Sequence, residues 1–348
     1  MIHLDERSSN SVRDQMLGVR LAADHTREIG AGANDKLELA EHVVSARSSA
    51  SIGAAAETLV SSGCDALVGV LTAPLSAELA EWADKAGALY LTANNRPSVW
   101  NGRRHVFHIG VPSEITGRSV IQHILARGVR RAVILYRPGP PEAYNVNTLA
   151  AESASRFAAE EGMDTRLQSL ESGVWDGGNH PTDDEAVCIF NSDVPKIAEL
   201  VTRLRSANKD GLIVLSRSML CRDFIELAGD AGKGCNVVDL FFRSDDASAE
   251  ERALMRGLAA TDARLVATAN HGFGWDCLRL TSKALQEAGT DAADQWALLE
   301  RLDKYQGATG PFAFSSQDHN GRRRYNPTTI ALLSKAGFVR VSSLDRTI

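Results

Sequence analysis

Two short polar segments follow neighbouring apolar runs and are the first candidates for binding chemistry. The segment TAP at 72–74 follows residues 66–70, and TANN at 92–95 closes the run 88–92, with one amphipathic helix between the runs. A strand, a helix and a strand at this spacing form a parallel unit, whose strands end at one edge of the sheet. Ligands bind beyond that edge in open parallel sheets. The sequence therefore predicts a small-molecule site built from these two segments.

The first segment combines a helix cap with a hydroxyl group. Thr72 suits the cap of the following helix, and Pro74 suits its first turn, where a missing N–H costs nothing. The unpaired N–H groups of that turn attract a carboxylate or another anion. We predict Thr72, Ala73 and Ser76 as ligand contacts, and the alternative is a plain helix cap.

The second segment carries two adjacent amides. Asparagine side chains offer both donors and acceptors, and they also shape turns through their own backbone. We predict Thr92, Asn94 and Asn95 as ligand contacts, and the alternative is that the asparagines only form the turn.

The sequence contains no pattern typical of catalysis or of metal binding. It has no GxSxG elbow, Walker loop, HExxH motif or GxGxxG loop. His105 and His108 are three apart on a predicted strand, so they point to opposite faces. The acidic segment 180–185 is more typical of a solvated loop than of a calcium site. We therefore expect no catalytic residue, no metal and no cofactor.

Composition restricts the classes of partner. The chain has 348 residues, 44% hydrophobic and 24% charged, which fits a globular protein of two lobes. A net charge of −6 argues against nucleic acid and anionic membranes as partners. The basic run 322–324 is typical of solvated loop charges. Five scattered cysteines without a CxxC pair suggest neither zinc nor redox chemistry.

Strand-like and helix-like segments alternate along nearly the whole chain, which predicts an α/β fold. The predicted strands are 37–44, 66–70, 88–92, 106–109, 131–136, 212–216 and 237–242. The predicted helices are 54–62, 114–127, 145–161, 194–206, 222–231, 275–288 and 293–304. Residues 170–184 are predicted to form a surface loop.

Four segments in this order carry a resemblance to a known family. They are the leading helix with its strand (GVRLAADH and KLELAEHVV), the unit 63–97, the stretch 106–136, and the stretch 305–325 with Gly307, Gly310, Phe314, Asp318 and Gly321. Together they resemble the type I periplasmic solute-binding proteins, in particular the branched-chain amino-acid-binding branch of ABC transport systems.

The resemblance implies two doubly wound lobes of parallel sheet with a ligand cleft between them. The first lobe is expected to hold residues 1–116 plus 246–304, and the second lobe 117–245 plus 305–348. A lobe change near 112–115 agrees with this division, because the segment VPSE ends one series of strands and begins a new helix.

The resemblance also implies ligand contacts in the second lobe. Tyr144 aligns with a family aromatic residue, and Arg217 follows a strand where amino-acid binders often carry an aromatic side chain. Arg243 and Asp245 follow the run 237–242, about where relatives place the carboxylate that neutralises a ligand ammonium. Arginines facing the ligand would favour an anionic or strongly polar end. The alternatives are a packing tyrosine and surface arginines.

Trp275 is the last predicted contact. It ends the segment HGFGW, which resembles the start of a late first-lobe helix in the family. The two interpretations of Trp275 are a side chain that lines the cleft and a side chain in the core, and the core is favoured.

The resemblance implies a non-enzymatic protein that captures an amino acid or small carboxylate for the membrane permease of an ABC importer. Such a protein would be periplasmic or otherwise extracytoplasmic after removal of a signal peptide, and a monomer or weak dimer. The N-terminal residues MIHLDERSSN lack the apolar core of a signal peptide. A cytoplasmic small-molecule sensor of the same fold is therefore the alternative, and an α/β enzyme with a diverged site is a third.

Overall fold

The protein is described from a computed structural model. The structure describes residues 1–4, 10–30, 37–44, 50–70, 73–139, 145–170, 181–207, 210–240, 247–263, 265–335, 337–343 and 346–347. The chain divides into two compact units: the first unit holds Met1–Val111, Asp245–Tyr325 and Thr347–Ile348, and the second unit holds Pro112–Ser244 and Asn326–Arg346.

Strands and helices alternate through both units. The strands are β1 (Ile2–Leu4), β2 (His42–Val44), β3 (Ala66–Val70), β4 (Leu89–Thr92), β5 (Val106–His108), β6 (Arg131–Tyr136), β7 (Asp164–Ser169), β8 (Ala186–Phe190), β9 (Ile213–Ser216), β10 (Asn236–Asp239), β11 (Tyr305–Gly307), β12 (Gly310–Phe312), β13 (Tyr325–Asn326), β14 (Thr329–Ser334), β15 (Gly337–Ser343) and β16 (Arg346–Thr347). The helices are α1 (Asn10–Ile29), α2 (Ala50–Ser61), α3 (Ala73–Ala86), α4 (Pro97–Trp100), α5 (Ser113–Ala126), α6 (Val146–Glu160), α7 (Val194–Ser206), α8 (Arg222–Ala228), α9 (Ala249–Thr261), α10 (Ala269–Ala288) and α11 (Ala292–Glu300). Two 3₁₀ turns cover Arg217–Met219 and Gly229–Gly232.

The first unit is built on a parallel sheet in the order β2-β1-β3-β4-β5. Strand β4 is buried along its whole length, as expected for an apolar strand covered on both faces. Strand β1 lies between β2 and β3, so the winding of the chain reverses at β1. The carboxyl ends of β3, β4 and β5 therefore meet at one edge.

Helices α1 and α10 of the first unit pack at backbone contact. A Cβ atom at Gly18 would lie 1.9 Å from the carbonyl oxygen of His271, and one at Gly274 would lie 1.9 Å from that of Gln15. Glycine is required at both positions because any side chain would push the helices apart.

The segment 305–325 belongs to the first unit, whereas the predicted lobe boundaries assigned it to the second. Arg322 fixes it there: its side chain is 0% exposed, and it donates to the carbonyl oxygens of Pro311 at 2.9 Å and Ile109 at 3.3 Å. The guanidinium also stacks 3.7 Å from the ring centroid of Phe312. The interpretation of 322–324 as solvated charges is therefore wrong for Arg322, although Arg323 and Arg324 are exposed.

The second unit contains a seven-stranded sheet in the order β15-β14-β10-β9-β8-β6-β7. Strands β10, β9, β8, β6 and β7 are parallel to one another. Strand β14 pairs antiparallel with β10, and β15 pairs antiparallel with β14. Strand β6 lies between β7 and β8, so the winding reverses there. In the core of the second unit, α5 and α6 pack on the buried faces of the central strands.

The predicted α/β class with two parallel sheets is confirmed, but several elements differ. The predicted strand 37–44 is regular only over His42–Val44, and β7 and β8 were not predicted. Strand β7 is a half-exposed edge strand with charged residues, so it lacks a strong apolar pattern. Among the helices that the structure describes, none has the length and apolarity needed to cross a membrane.

We expect Gly18→Ala to destabilise the first unit by about 1–3 kcal/mol, because its Cβ would overlap a backbone carbonyl of α10. The matched variant is Gly53→Ala in α2, whose Cβ would meet only Trp82 Cδ1 at 3.6 Å. That variant should be neutral or stabilising by up to about 1 kcal/mol. Urea unfolding of both variants is the measurement, and equal stability would contradict the close packing of α1 and α10.

His123 should make the stability of the second unit depend on pH. Burial, and less strongly Arg127, lower the pKa of His123 from 6.5 to about 4, while its bond to Asn236 Oδ1 at 3.2 Å opposes the shift. Between the folded pKa of about 4 and the unfolded pKa of 6.5, His123 therefore binds a proton in the unfolded chain but not in the folded chain. Stability is full above the unfolded pKa and falls by about 3 kcal/mol as the pH drops through the folded pKa. Unfolding free energies measured from about pH 7 to about pH 4 should show this decrease, and His123→Gln should lose this part of it. An unchanged slope in the variant would contradict the assignment.

Candidate ligand-binding site

The polar side chains predicted in the first unit do meet at the carboxyl ends of β3 and β4. Asn94 Nδ2 donates to Ser76 Oγ at 3.3 Å, and the Asn94 backbone N–H donates to Thr92 Oγ1 at 3.1 Å. Asn94 Oδ1 then accepts from the backbone N–H of Arg96 at 3.1 Å. Ser76 and Thr92 are buried, and Asn94 is half-buried. The loop is thus held in one shape, with Asn94 its most accessible polar group.

Tyr90 lies next to this cluster. Burial raises the pKa of the Tyr90 phenol to about 12. Gly69 makes room for the ring, because a Cβ there would lie 2.5 Å from the phenol oxygen. Tyr90 is therefore a neutral packing residue and cannot act as a base.

A buried histidine holds the next residue of the loop. His108 is 0% exposed, with Nε2 3.0 Å from Asn95 Oδ1 and Nδ1 3.3 Å from Asn320 Oδ1. Trp100 stacks on the imidazole, with ring centroids 4.9 Å apart. Gly110 is close as well, since a Cβ there would lie 2.4 Å from Asn95 Oδ1. These contacts support the turn-forming interpretation of Asn95.

The carboxyl edge of the second unit carries a different set of groups. Arg137 follows β6, and its backbone N–H donates to Phe190 O at 3.1 Å. Its guanidinium lies 3.5 Å from a carboxylate oxygen of Asp193, which caps α7. Arg217 follows β9 in a 3₁₀ turn and is half-buried.

Asn191 follows β8 at the centre of this edge. Its carbonyl oxygen accepts from Ser216 Oγ at 2.7 Å, and its Oδ1 accepts from the Asp193 N–H at 3.0 Å. The residue is 1% exposed, and among the described residues its Nδ2 has no acceptor. An unsatisfied buried donor costs about 1–3 kcal/mol, so an acceptor reaching it would be strongly stabilising.

Sequence reasoning missed Asn191, Asp193 and Arg137 as candidates. The available signal was position: each comes directly or almost directly after an apolar run, where ligands bind in parallel sheets. The run AVCIF at 186–190 was not predicted as a strand, so the polar residues after it were not predicted as ligand contacts.

The remaining predicted contacts have different positions. Thr72, Tyr144, Arg243 and Asp245 lie outside the described residues. Ala73 begins α3. Trp275 is 1% exposed, and its Nε1 donates to Glu250 Oε2 at 2.7 Å. This burial disfavours a ligand contact at Trp275 and agrees with the core alternative.

The described residues contain no group of three or more His, Cys, Asp or Glu side chains that could hold a metal ion. Burial raises the pKa of the thiols of Cys188 and Cys277, and that of Cys235 to about 11, so these thiols stay protonated at neutral pH. The arrangement is suited to binding by hydrogen bonds and charge.

Comparison with known proteins gives the fold. No protein-family model and no curated protein sequence matches the chain. Solved structures do match over nearly the whole chain. The leucine binding protein LivK from Thermotoga maritima has a TM-score of 0.74 at 15% identity, covering 98% of this chain and 97% of that chain. LivJ from Streptococcus pneumoniae, in complex with isoleucine, has a TM-score of 0.72 at 16% identity, covering 98% of both chains. A solute binding protein from R. palustris in complex with benzoate has a TM-score of 0.73 at 14% identity, covering 100% of this chain and 96% of that chain.

These neighbours define a class of fold. LivJ is described as a substrate binding protein of a branched-chain amino acid transporter, and the R. palustris protein as a solute binding protein of an ABC transporter. A type 1 periplasmic binding protein from Bordetella pertussis also matches, with a TM-score of 0.75 at 14% identity, covering 100% of this chain and 98% of that chain. The chain therefore has the type I periplasmic-binding-protein fold, and the fold implied by the sequence resemblance is confirmed.

The contact between His108 and Asn95 should be visible as energetic coupling. His108→Phe keeps a ring against Trp100 but removes the polar contacts of the imidazole with Asn95 and Asn320, so we expect a loss of about 2 kcal/mol. Asn95→Ala should also destabilise the first unit. The double variant should lose less than the sum of the two, by at least about 0.5 kcal/mol, in urea unfolding. Strict additivity would show that the contact does not hold the loop.

Proposed function

We propose that this protein is a non-enzymatic solute-binding protein that captures a small polar metabolite, an amino acid or small carboxylate, for an ABC-type importer. The fold neighbours named above bind small ligands of this size, isoleucine and benzoate among them. The permease of the importer is then the protein partner, and the working location is outside the cytoplasm.

One observation carries the proposal. In each unit, polar side chains concentrate at the carboxyl edge of the parallel sheet, where ligands of such sheets bind. In the first unit these groups are Ser76, Thr92 and Asn94. In the second unit they are Arg137, Asn191 and the neighbouring Arg217.

The chemistry of the second edge favours a ligand with an acceptor or anionic end. Arg137 shares the Asp193 carboxylate with Lys196, at 3.5 Å and 3.9 Å, and Asn191 has a donor without an acceptor among the residues that the structure describes. Arginine binds carboxylates through paired N–H groups. A small carboxylate therefore suits this edge better than an aliphatic side chain does.

A thermal-shift screen tests this function. The protein is unfolded and refolded to strip ligand, then mixed with aliphatic and aromatic amino acids, aromatic carboxylates, short-chain acids, amides and polyols. A true ligand at about 100 times its dissociation constant should add roughly 2.7 kcal/mol of stability. We expect hits among the carboxylates and none among the neutral polyols.

Matched variants locate the ligand on the second edge. Arg217→Gln and Asn191→Ala should weaken binding of the best hit by about 1–3 kcal/mol, measured by calorimetry. Arg222→Gln is the control, since Arg222 is exposed on α8 and pairs with Glu226 at 2.6 Å. No hit across the panel, or chemical conversion of a hit, would contradict the proposed function.

A further inference from the structure

A pocket lies in the first unit, beside the start of β5. Its volume is about 440 Å³. Residues 101–104, which precede β5, form one wall, and residues 316–319 form another. The candidate loop 93–96 does not line this pocket, although Trp100, which does line it, stacks on His108. Pockets for small molecules have volumes of about 300–1,000 Å³, so this one is large enough for a metabolite.

The pocket has an excess of positive charge. Each of its two carboxylates has a partner: Glu300 Oε1 lies 3.1 Å from His319 Nε2, and Asp318 Oδ2 lies 2.8 Å from Arg323 Nε. No ion pair joins Arg103 or Arg104 to a carboxylate within the described part of the chain, and Arg103 Nε donates to the carbonyl oxygen of Ser98 at 3.4 Å. These two guanidinium groups are therefore available for an anion.

Arg104 is held in place by an aromatic ring. Its guanidinium lies 4.1 Å from the ring centroid of Trp296, and its backbone N–H donates to Asp84 Oδ1 at 3.0 Å. A guanidinium stacked on a ring keeps its in-plane N–H groups free for forked bonds to a carboxylate, sulfonate or phosphate. The stacking therefore holds the Arg104 guanidinium in a position to donate to an anion.

Two indole rings add flat apolar surface to the same pocket. Trp100 and Trp296 both line it, and each has a buried N–H without an acceptor among the residues described. Aromatic rings favour stacked or edge contacts with another planar group. The pocket thus combines anion donors with surfaces for a planar group.

We propose that this pocket is a second binding site, for a small organic anion that carries a planar group, such as an aromatic carboxylate, sulfonate or phosphate. The site lies wholly within the first unit and stands independently of the function proposed above.

The test measures the NMR signals of the tryptophan indole N–H groups in the full chain. The protein has five tryptophans, whose side-chain N–H signals are assigned in proton–nitrogen spectra by single Trp→Phe variants. Titration with phenyl phosphate should shift the Trp100 and Trp296 signals with saturation. Benzamide, which is planar but neutral, should leave them in place. No saturable shift, or an equal shift with benzamide, overturns the proposal.

Arginine variants provide the second measurement. Arg104→Gln and Arg103→Gln should each weaken phenyl phosphate binding at least several-fold. The control is Arg301→Gln, because Arg301 is exposed at the end of α11 and does not line the pocket. Equal binding in all three variants would mean that general surface charge, and not this pocket, attracts the probe. Arg217→Gln should bind the probe like the parent protein, which separates this site from the second-unit edge.

Discussion

A buried charge organises the first unit. Arg322 has no solvent exposure, and such a charge is tolerated only when partners replace its water. Two backbone carbonyls, of Ile109 and Pro311, and the hydroxyl of Thr309 accept its N–H groups. The Thr309 backbone N–H in turn donates to Asp276 Oδ2 at 2.9 Å. Burial raises the pKa of the Asp276 carboxyl to about 6, and the charge of Arg322 opposes the rise.

The shape of the candidate loop depends on this arrangement. Arg322 fixes the segment that contains Asn320, and its own backbone N–H donates to Asn320 Oδ1 at 3.1 Å. Asn320 contacts His108, and His108 contacts Asn95 in the loop after β4. Residues more than two hundred positions apart in the chain thus determine one turn. Sequence proximity alone gives no sign of this dependence.

The sequence predicts what local periodicity controls. Strands β3, β4 and β6 are continuous apolar runs, and α7 carries its buried residues on one face, so each was predicted near its observed bounds. The polar residues after β4 were also predicted, because strand ends are visible in sequence. Burial of Arg322 was not, since a run of three arginines has the composition of a solvated loop. Strand β7 was missed because an edge strand with charged residues shows only a weak alternation.

The two carboxyl edges divide the polar chemistry unequally. In the first unit the hydroxyl oxygens of Ser76 and Thr92 accept hydrogen bonds from Asn94, so they fix the geometry of the loop after β4. In the second unit Arg137 and Asn191 retain donor capacity. Binding energy concentrates where donors lack acceptors, because a ligand then replaces a cost instead of exchanging one satisfied bond for another. Under the proposed function, the second edge would therefore contribute more to ligand selection than the first, with charge as the main criterion.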